Sequence, residues 1–483
     1  MDNTARSVFK NISPLDHRYA LSEKAVFDAL EPWLSEDAAV CACVRAELAL
    51  VSAHLKTRGL FTSEAGCALE RAREAVTPEA VYAEEAKTHH NIRALVNVLK
   101  TKVPPPLAPL VHLGATSVDI LDTALAYRIK AAVRDVVLPL LKSLGLALCD
   151  IAEREADTPQ VGRTHGQHAV PITAGFAFAE YVARLGKSVQ RVEALAADLR
   201  GKLAGACGAY NATSMITADP EALERQYLAE MGLTPSDHAT QLVEPEHVLR
   251  LLLEMNVCFG IIANLADDVR NLQRTELGEV HEGFSGAQVG SSTMPQKRNP
   301  WNSEHVKSLW KAYMPRVVTF FMDQISEHQR DLTNSASQRF IAEYITGFAM
   351  AASRMKAVLE TLRIDAEAMR RNLAAGGGVP GGILAEPAYI LLAESGENDA
   401  HEYIRAITLT CEKERLGFAE GLLREPAVFE KIAQKMMALN LARDKDDARR
   451  FFEQPERYNG IAAKKARALA QKYHAVFAAA AER

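Results

Sequence analysis

Gly290-Ser291-Ser292-Thr293-Met294-Pro295-Gln296-Lys297-Arg298-Asn299-Pro300 is the stretch on which the reading of this chain turns. Pro295 and Pro300 have fixed φ and no backbone donor, so a regular helix through it is disfavoured. Phe284-Ser285-Gly286-Ala287 ahead of it is small and flexible, and Trp301 to Glu304 behind it leads into a helix-like run from His305. The pattern predicts an ordered loop with a mobile, glycine-hinged start, a place where lids carry chemistry. Two adjacent hydroxyls, Ser291 and Ser292, stand near Lys297, Arg298 and the amide of Asn299. A serine base beside fixed positive charge suits a reaction that builds negative charge on an oxyanion or an enolate-like carboxylate. By composition alone the stretch also suits a basic surface loop.

The rest of the chain sets the frame for that loop. A length of 483 residues corresponds to about three domains of ~150 residues. Hydrophobic content of 48% with 24% charged residues is that of an ordinary globular protein with material for a core. The net charge of −5 argues against a nucleic-acid partner. Seven cysteines are scattered, and the lone C-x-C at Cys41 and Cys43 has no matching pair, so buried or structural thiols and no metal site are expected. The odd count and the absence of a secretory segment fit a reducing cytoplasm. No uninterrupted apolar run reaches about 18 residues, so no membrane span is expected.

Periodicity predicts an all-α chain in three regions: 1–118, 119–375 and 376–483. The first holds helices over 25–34 and 38–57, a turn before His17, Arg18 and Tyr19, and two polar islands carrying His89, His90 and His112. Adjacent histidines lie about 100° apart on a helix, unlike the i, i+4 pair of zinc helices. Acid–base or hydrogen-bonding duty and ordinary partial burial both remain open for them. The second region reads as long helices, one over 119–157 with a kink at Pro139. Phe178, Val182, Leu185, Val189, Val192, Leu195 and Leu199 form one apolar stripe. Residues 248–265 have almost no polar face, which requires burial on all sides, at a bundle centre or a subunit interface. Helices over 305–327 and 337–362 follow. No alternating pattern builds a sheet, leaving room for one small hairpin. Gly376 to Gly382 marks a boundary, and a smaller helical region closes the chain with a solvated end.

Two further islands fall between long helices. At 162–173, His165 suits a general acid or base, Gly166 allows close backbone approach, and Arg163, Thr164 and Gln167 supply donors for an anion. A plain interhelical turn fits the same residues. At 329–339, Arg330, Arg339 and Ser335 at a helix start form an anion site, or else a capped helix with exposed arginines. Together the islands suggest one composite site for proton abstraction or elimination on a polyanionic small molecule. No P-loop or G-x-G-x-x-G is present, and neither metal nor organic cofactor is implied.

The 290–300 stretch resembles the signature G-S-S-x-M-P-x-K-x-N-P of the fumarase/aspartase superfamily. Thr164 to Gln167 resembles its T-H-G-Q motif, and His112 to Asp119 its T-S-x-D region. Within that superfamily the chain is similar to the adenylosuccinate lyases, through Arg18-Tyr19, H-L-G-A-T-S-x-D, R-T-H-G-Q and the run from Arg330 through Ser335 to Arg339. The resemblance spans nearly the whole chain and is weakest beyond Pro380. It implies a three-domain all-α fold whose homotetramer has a 20-helix core, with active sites shared by three subunits. It also implies β-elimination of fumarate from adenylosuccinate, giving AMP, and from the succinylcarboxamide ribotide SAICAR, giving AICAR. The implied partner is a purine nucleotide substrate, with no cofactor.

The resemblance assigns roles residue by residue. Ser291 matches the base, credible only when closure desolvates it and Lys297 and backbone donors stabilise its alkoxide. His165 matches the general acid, and Glu304 the carboxylate orienting it. His90 and His112 match histidines near the phosphate and the reacting centre. Thr116, Ser117, Thr164, Ser292 and Asn299 would hold the succinyl carboxylates, with Met294 beside them. Arg18, Tyr19, Arg330, Ser335 and Arg339 would hold the nucleotide phosphate and adjoining groups. Asn91 stands where many relatives have Asp, and Asn211 is matched to a position that is often Gln. Other readings are a 3-carboxymuconate cycloisomerase, which needs no phosphate site, an argininosuccinate lyase, whose S-R-N-D stretch is absent, and a catalytically dead structural protein.

Overall fold

The long helices begin where the sequence supplies a cap. This computed structural model describes residues 7–284 and 290–479. In it α1 spans Lys24–Leu34 and α2 spans Glu36–Thr57. Ser35 between them accepts the Ala38 N–H at 3.0 Å, and Glu36 and Asp37 occupy the first turn, where the helix dipole favours acids. α3 (Ser117–Ala132) starts at a capping box made by Thr116 and Asp119. α4 (Leu138–Arg154) continues it after one π turn, Val133–Val137. Pro139 cannot donate to the turn before it, and the irregular turn falls there. A hairpin of β1 (Pro159–Thr164) and β2 (Gln167–Thr173) leads into α5 (Ala174–Ala197). α6 (Glu246–Leu272), α7 (Trp301–Tyr313), α8 (Arg316–Met322) and α9 (Ile341–Thr361) complete the bundle. α10 (Ala462–Ala478) joins it from the C-terminal region.

The class is all-α, with three two-stranded ladders among the described residues that periodicity did not reveal. Besides the hairpin, Arg200–Gly201 pairs with Thr234–Pro235 and Val280–His281 with Arg363–Ile364. The helix expected over 305–327 breaks at Pro315, which has no N–H for the ladder, and stops at Met322. The helix expected from 337 starts at Ile341, after one 3₁₀ turn. Residues 285–289, the expected hinge, lie outside the described residues.

The solvated end expected for the chain is half buried instead. Tyr473 and Phe477 of α10 pack over Gly186 of α5 and Gly145 of α4, where a β-carbon would have no room. Those aromatics, with Ala466 and Ala470, belong to the main core. The residues between 376 and α10 gather around a second core that includes Leu384, Ile404, Phe418 and Ile432.

α6 is the apolar helix read at 248–265. Leu251, Leu252, Met255, Phe259 and Ile262 are buried, but Leu253, Val257, Gly260 and Asn264 form an open stripe, with Val257 54% exposed. Burial on all sides therefore fails for the single chain. By length and composition, Lys24–Thr57 and Glu246–Leu272 are apolar enough to cross a membrane, yet 72% and 61% of those windows are buried inside the fold. The criterion of one unbroken apolar run passed over both, because single polar residues interrupt them.

The bundle has two ends, and they carry different islands. Tyr181 of α5 bonds Asp268 of α6, whereas His247 at the start of α6 lies 3.1 Å from Asp198 just past α5, so these helices run antiparallel. The 27 residues of α6 span about 40 Å at 1.5 Å per residue.

Candidate active site

At the N-terminal end of α6 a cavity of about 600 Å³ opens between α2, α3 and the start of α9. His90, Asn91, Thr116, Ser117, Ser335 and Arg339 all line it. His90 N-caps the helix Asn91–Lys100, its Nδ1 accepting the Arg93 N–H at 3.2 Å. Asn91 Oδ1 accepts the Ile92 N–H at 2.7 Å. Thr116 and Ser117 sit at the N-terminus of α3, where unpaired N–H groups and the dipole favour an anion. Their position is locked from behind. The Asp119 carboxylate accepts the Thr116 N–H at 2.8 Å, the Ala204 N–H at 3.2 Å and the ammonium of Lys202. Asp119 and Lys202 are both fully buried. Ser335, expected as an N-cap, caps nothing; Phe340 precedes α9 instead.

Gln241 and Asp122 also line the cavity, and sequence reasoning passed over both. Asp122 accepts the Val243 N–H at 3.0 Å, and the Gln241 N–H donates to the Gln329 carbonyl at 3.2 Å. The two bonds stitch this loop to α3 and to the 329–339 island. Burial pushes the Asp122 pKa up to about 6, against the opposing Val243 bond and Lys202 charge. The Gln241 loop carries no motif, so only the fold could find it. Asn211, matched to a Gln in relatives, is exposed and outside the cavity lining.

Two expected residues sit behind or beside the cavity. Arg330 has φ +76 and donates to the carbonyls of Gln324 at 2.9 Å and Asp323 at 3.3 Å, bracing its own loop. It lines a smaller apolar pocket of about 70 Å³ next to the main one. His112 has φ +63 and its Nδ1 lies 2.7 Å from Glu47.

The other islands meet at the opposite end of α6. His165 and Gly166, at φ +55 and +74, are the two central residues of the hairpin turn. Positive φ at both positions is what a type I′ turn requires. His165 and Thr164 are exposed at its tip. Arg163, expected to offer donors to a ligand, is committed to Glu279, with Nη1 3.1 Å from Oε2. Gln160 and Asn372 also donate to Glu279, at 2.9 and 2.8 Å. Burial would raise this carboxyl, but the three donors outweigh it and hold its pKa below the usual value. A depressed carboxylate stabilises the fold above the ordinary carboxylate range and loses that contribution as pH falls through the folded pKa. Glu279→Gln is expected to cost about 3 kcal/mol at neutral pH and to flatten the loss of stability on acidification. Denaturant titrations from pH 7 to pH 3 check both.

The signature loop folds back on its own serine. Ser291 Oγ accepts the N–H groups of Met294 at 3.0 Å and Thr293 at 3.4 Å. Two amide dipoles aimed at one hydroxyl oxygen favour its anionic form. Asn299 Nδ2 donates to the Gly290 carbonyl at 3.1 Å, closing the loop, and Gln273 Nε2 donates to the Arg298 carbonyl at 3.3 Å. Ser292, Met294 and Lys297 are exposed. Glu282 takes the Ser303 N–H at 2.8 Å and the Asn302 N–H at 3.3 Å, capping α7. Glu304, one residue on, is exposed, and no hydrogen bond joins it to His165 among the described residues. Tyr19 OH lies 2.6 Å from His305 Nε2, with Arg18 exposed beside it. Among the described residues no cluster of three His, Cys, Asp or Glu is set to hold a metal.

A single chain thus carries three partial sites: the cavity, the histidine tip and the serine loop with Tyr19. Comparison with known proteins gives the family. A family model described as lyase matches residues 30–311, and one described as adenylosuccinate lyase C-terminal matches residues 326–443. Adenylosuccinate lyase of Pyrococcus abyssi is 35% identical over 409 residues, 83% of this chain and 88% of that protein. The enzyme of that name from Archaeoglobus fulgidus is 30% identical over 455 residues, 93% of this chain and 96% of the other. Among solved structures, 3-carboxy-cis,cis-muconate lactonizing enzyme from Pseudomonas putida matches with a TM-score of 0.78 and 26% identity, over 94% of this chain and 98% of that one. Fumarate lyase from Mesorhizobium sp. BNC1 shares the fold, with a TM-score of 0.77 and 22% identity over 92% and 97% of the two chains. With matches of this identity over most of its length, the chain belongs to the adenylosuccinate lyase family and is a lyase.

Proposed function

We propose that this lyase cleaves adenylosuccinate to AMP and fumarate, and SAICAR to AICAR and fumarate, in purine nucleotide synthesis. The reaction removes a proton from the carbon beside one succinyl carboxylate and breaks the carbon–nitrogen bond on the neighbouring carbon. Ser291, as alkoxide, takes the proton. The electron pair is held on the aci-carboxylate next to Lys297 and then expels the nitrogen, which His165 protonates. Glu304 of the assembled site orients His165. Thr116, Ser117, Thr164, Ser292 and Asn299 hold the carboxylates, with Met294 against the substrate. Ser335, Arg339 and His90 take the phosphate side, with Arg18 and Tyr19, while His112 lies nearer the reacting centre and Arg330 braces the loop that carries Ser335. Asn91 lines the same cavity, and Gln241 replaces Asn211 as the amide that reaches the substrate. Nothing in this sequence of steps calls for a cofactor.

The observation that carries this reading is the cavity itself. Arg339 and Ser335 face it together with His90 and the N-terminus of α3, a set of donors suited to a phosphate and a dicarboxylate at once. A muconate cycloisomerase, the second reading, has no phosphate to bind. It is kept because of the lactonizing enzyme's structural likeness.

The reading includes assembly. The cavity and the serine loop lie about 40 Å apart along α6, too far for one chain to use both. The open stripe of Leu253, Val257 and Gly260 on α6 offers an antiparallel contact that would bring one copy's cavity to another's loop. A cytoplasmic homotetramer with sites shared by three copies follows.

Purified protein mixed with adenylosuccinate is expected to show the absorbance change of AMP formation. Absence of turnover, together with lactonisation of 3-carboxymuconate, would favour the second reading.

A further inference from the structure

α2 is buried on every side over 46–55, and two of its three buried polar residues address one turn. Glu47 is fully buried, and its Oε1 lies 2.7 Å from His112 Nδ1. His54, seven residues on and therefore on the same face, is 1% exposed and donates from Nε2 to the Leu113 carbonyl at 2.9 Å. Burial holds the His54 pKa below its usual value, so that ring is neutral and donates from this nitrogen alone. Glu47 and His54 thus grip consecutive residues. The grip falls where His112 takes φ +63, a left-handed conformation that side chains other than glycine's rarely adopt. Thr116, four residues later, is already in the cavity wall.

Glu47 is a poor choice for packing alone. Its Oε2 is buried and has no hydrogen-bond partner among the described residues. A buried carboxylate with one bond serves folding worse than an apolar side chain of similar size. A carboxylate oxygen at 2.7 Å accepts, so a proton of His112 sits on Nδ1. The imidazole keeps 24% exposure, which leaves Nε2 as the nitrogen for a ligand.

We propose that Glu47 is a positioning residue for the elimination: it fixes the tautomer and direction of His112 so that Nε2 accepts a hydrogen bond from a hydroxyl or amino group of the nucleotide. The proposal rests on the purine nucleotide reading above. Wild-type turnover of adenylosuccinate tests that reading by itself. Glu47→Leu is expected to raise KM for adenylosuccinate about tenfold, as loss of one well-oriented hydrogen bond does. Its kcat is expected to stay within about threefold, with Tm equal or higher. His112→Asn, a residue that tolerates positive φ, is expected to raise KM similarly. Adding Glu47→Leu to it should then change KM by less than about twofold, because the pair acts as one unit. Multiplying effects, an unchanged KM in either single variant, or a lowered Tm with normal KM would overturn the proposal. Imidazole ¹⁵N NMR adds a readout that needs no substrate. The His112 proton is expected on Nδ1 in wild type and displaced in Glu47→Leu; a ring that ignores the substitution also overturns it.

Discussion

Ser291→Ala is expected to lower kcat by about 10²- to 10⁴-fold, the range for removing a general base, while KM stays within about threefold. A serine is a weak base in water, and its use demands a reason in the structure. The reason is the pair of N–H groups, from Thr293 and Met294, that its oxygen already accepts within its own loop. Donors prearranged around the developing alkoxide need no reorganisation when the proton moves. Lys297, two turns of loop away in the same segment, adds positive charge for the carboxylate that gains electron density. Alanine keeps the loop backbone and removes only the oxygen, so binding survives. Single-turnover kinetics with adenylosuccinate separate the two quantities. A Ser291→Ala variant that retains more than about a tenth of kcat would mean that another group takes the proton.

Lys202→Met is expected to destabilise the protein by about 3–5 kcal/mol, because it strands a buried carboxylate. Asp119 and Lys202 have no exposed side-chain surface, and Lys202 also donates to the Gly205 carbonyl at 3.1 Å. Asp119 holds the Thr116 N–H, so the same variant loosens the start of α3 and weakens binding at Thr116 and Ser117. Asp119→Asn in the Lys202→Met background should restore part of the loss, since it removes the unpaired charge. Urea denaturation of the wild type, the single variant and the double variant checks the order. A loss below about 1 kcal/mol for Lys202→Met would place the charge pair in contact with water, contrary to its burial.

What the sequence made legible, and what it hid, follows from range. α1, α2, α5 and α6 were readable because apolar spacing is local, whereas the caps at Ser35 and Thr173 that start α2 and α5 were not read. The histidine of the T-H-G-Q run was readable as chemistry, but not as a hairpin tip. Its strands hold Pro159, Gly162 and Pro171, which blur alternation, although the positive-φ His-Gly pair was a usable sign. Gln241 was missed, because its place depends on Asp122 and Gln329, far off in sequence. Arg163 and Arg330 read as ligand donors by type, and only the fold reveals that carboxylate and carbonyl partners already occupy them. The largest gap was the separation of the islands. Motifs mark candidate residues, but only the length of α6 reveals that the cavity and the serine loop stand about 40 Å apart in one chain.

That separation is the central claim, and mixing tests it most directly. Ser291→Ala, at the loop end, and Arg339→Ala, at the cavity end, are each purified as inactive homo-oligomers, then co-unfolded, refolded together and assayed with adenylosuccinate. The account predicts that the mixture regains turnover, because some hybrid sites draw an intact Ser291 from one copy and an intact Arg339 from another. A mixture that stays as inactive as its parents, beside a wild-type control that recovers, would mean that both residues serve the site from the same chain.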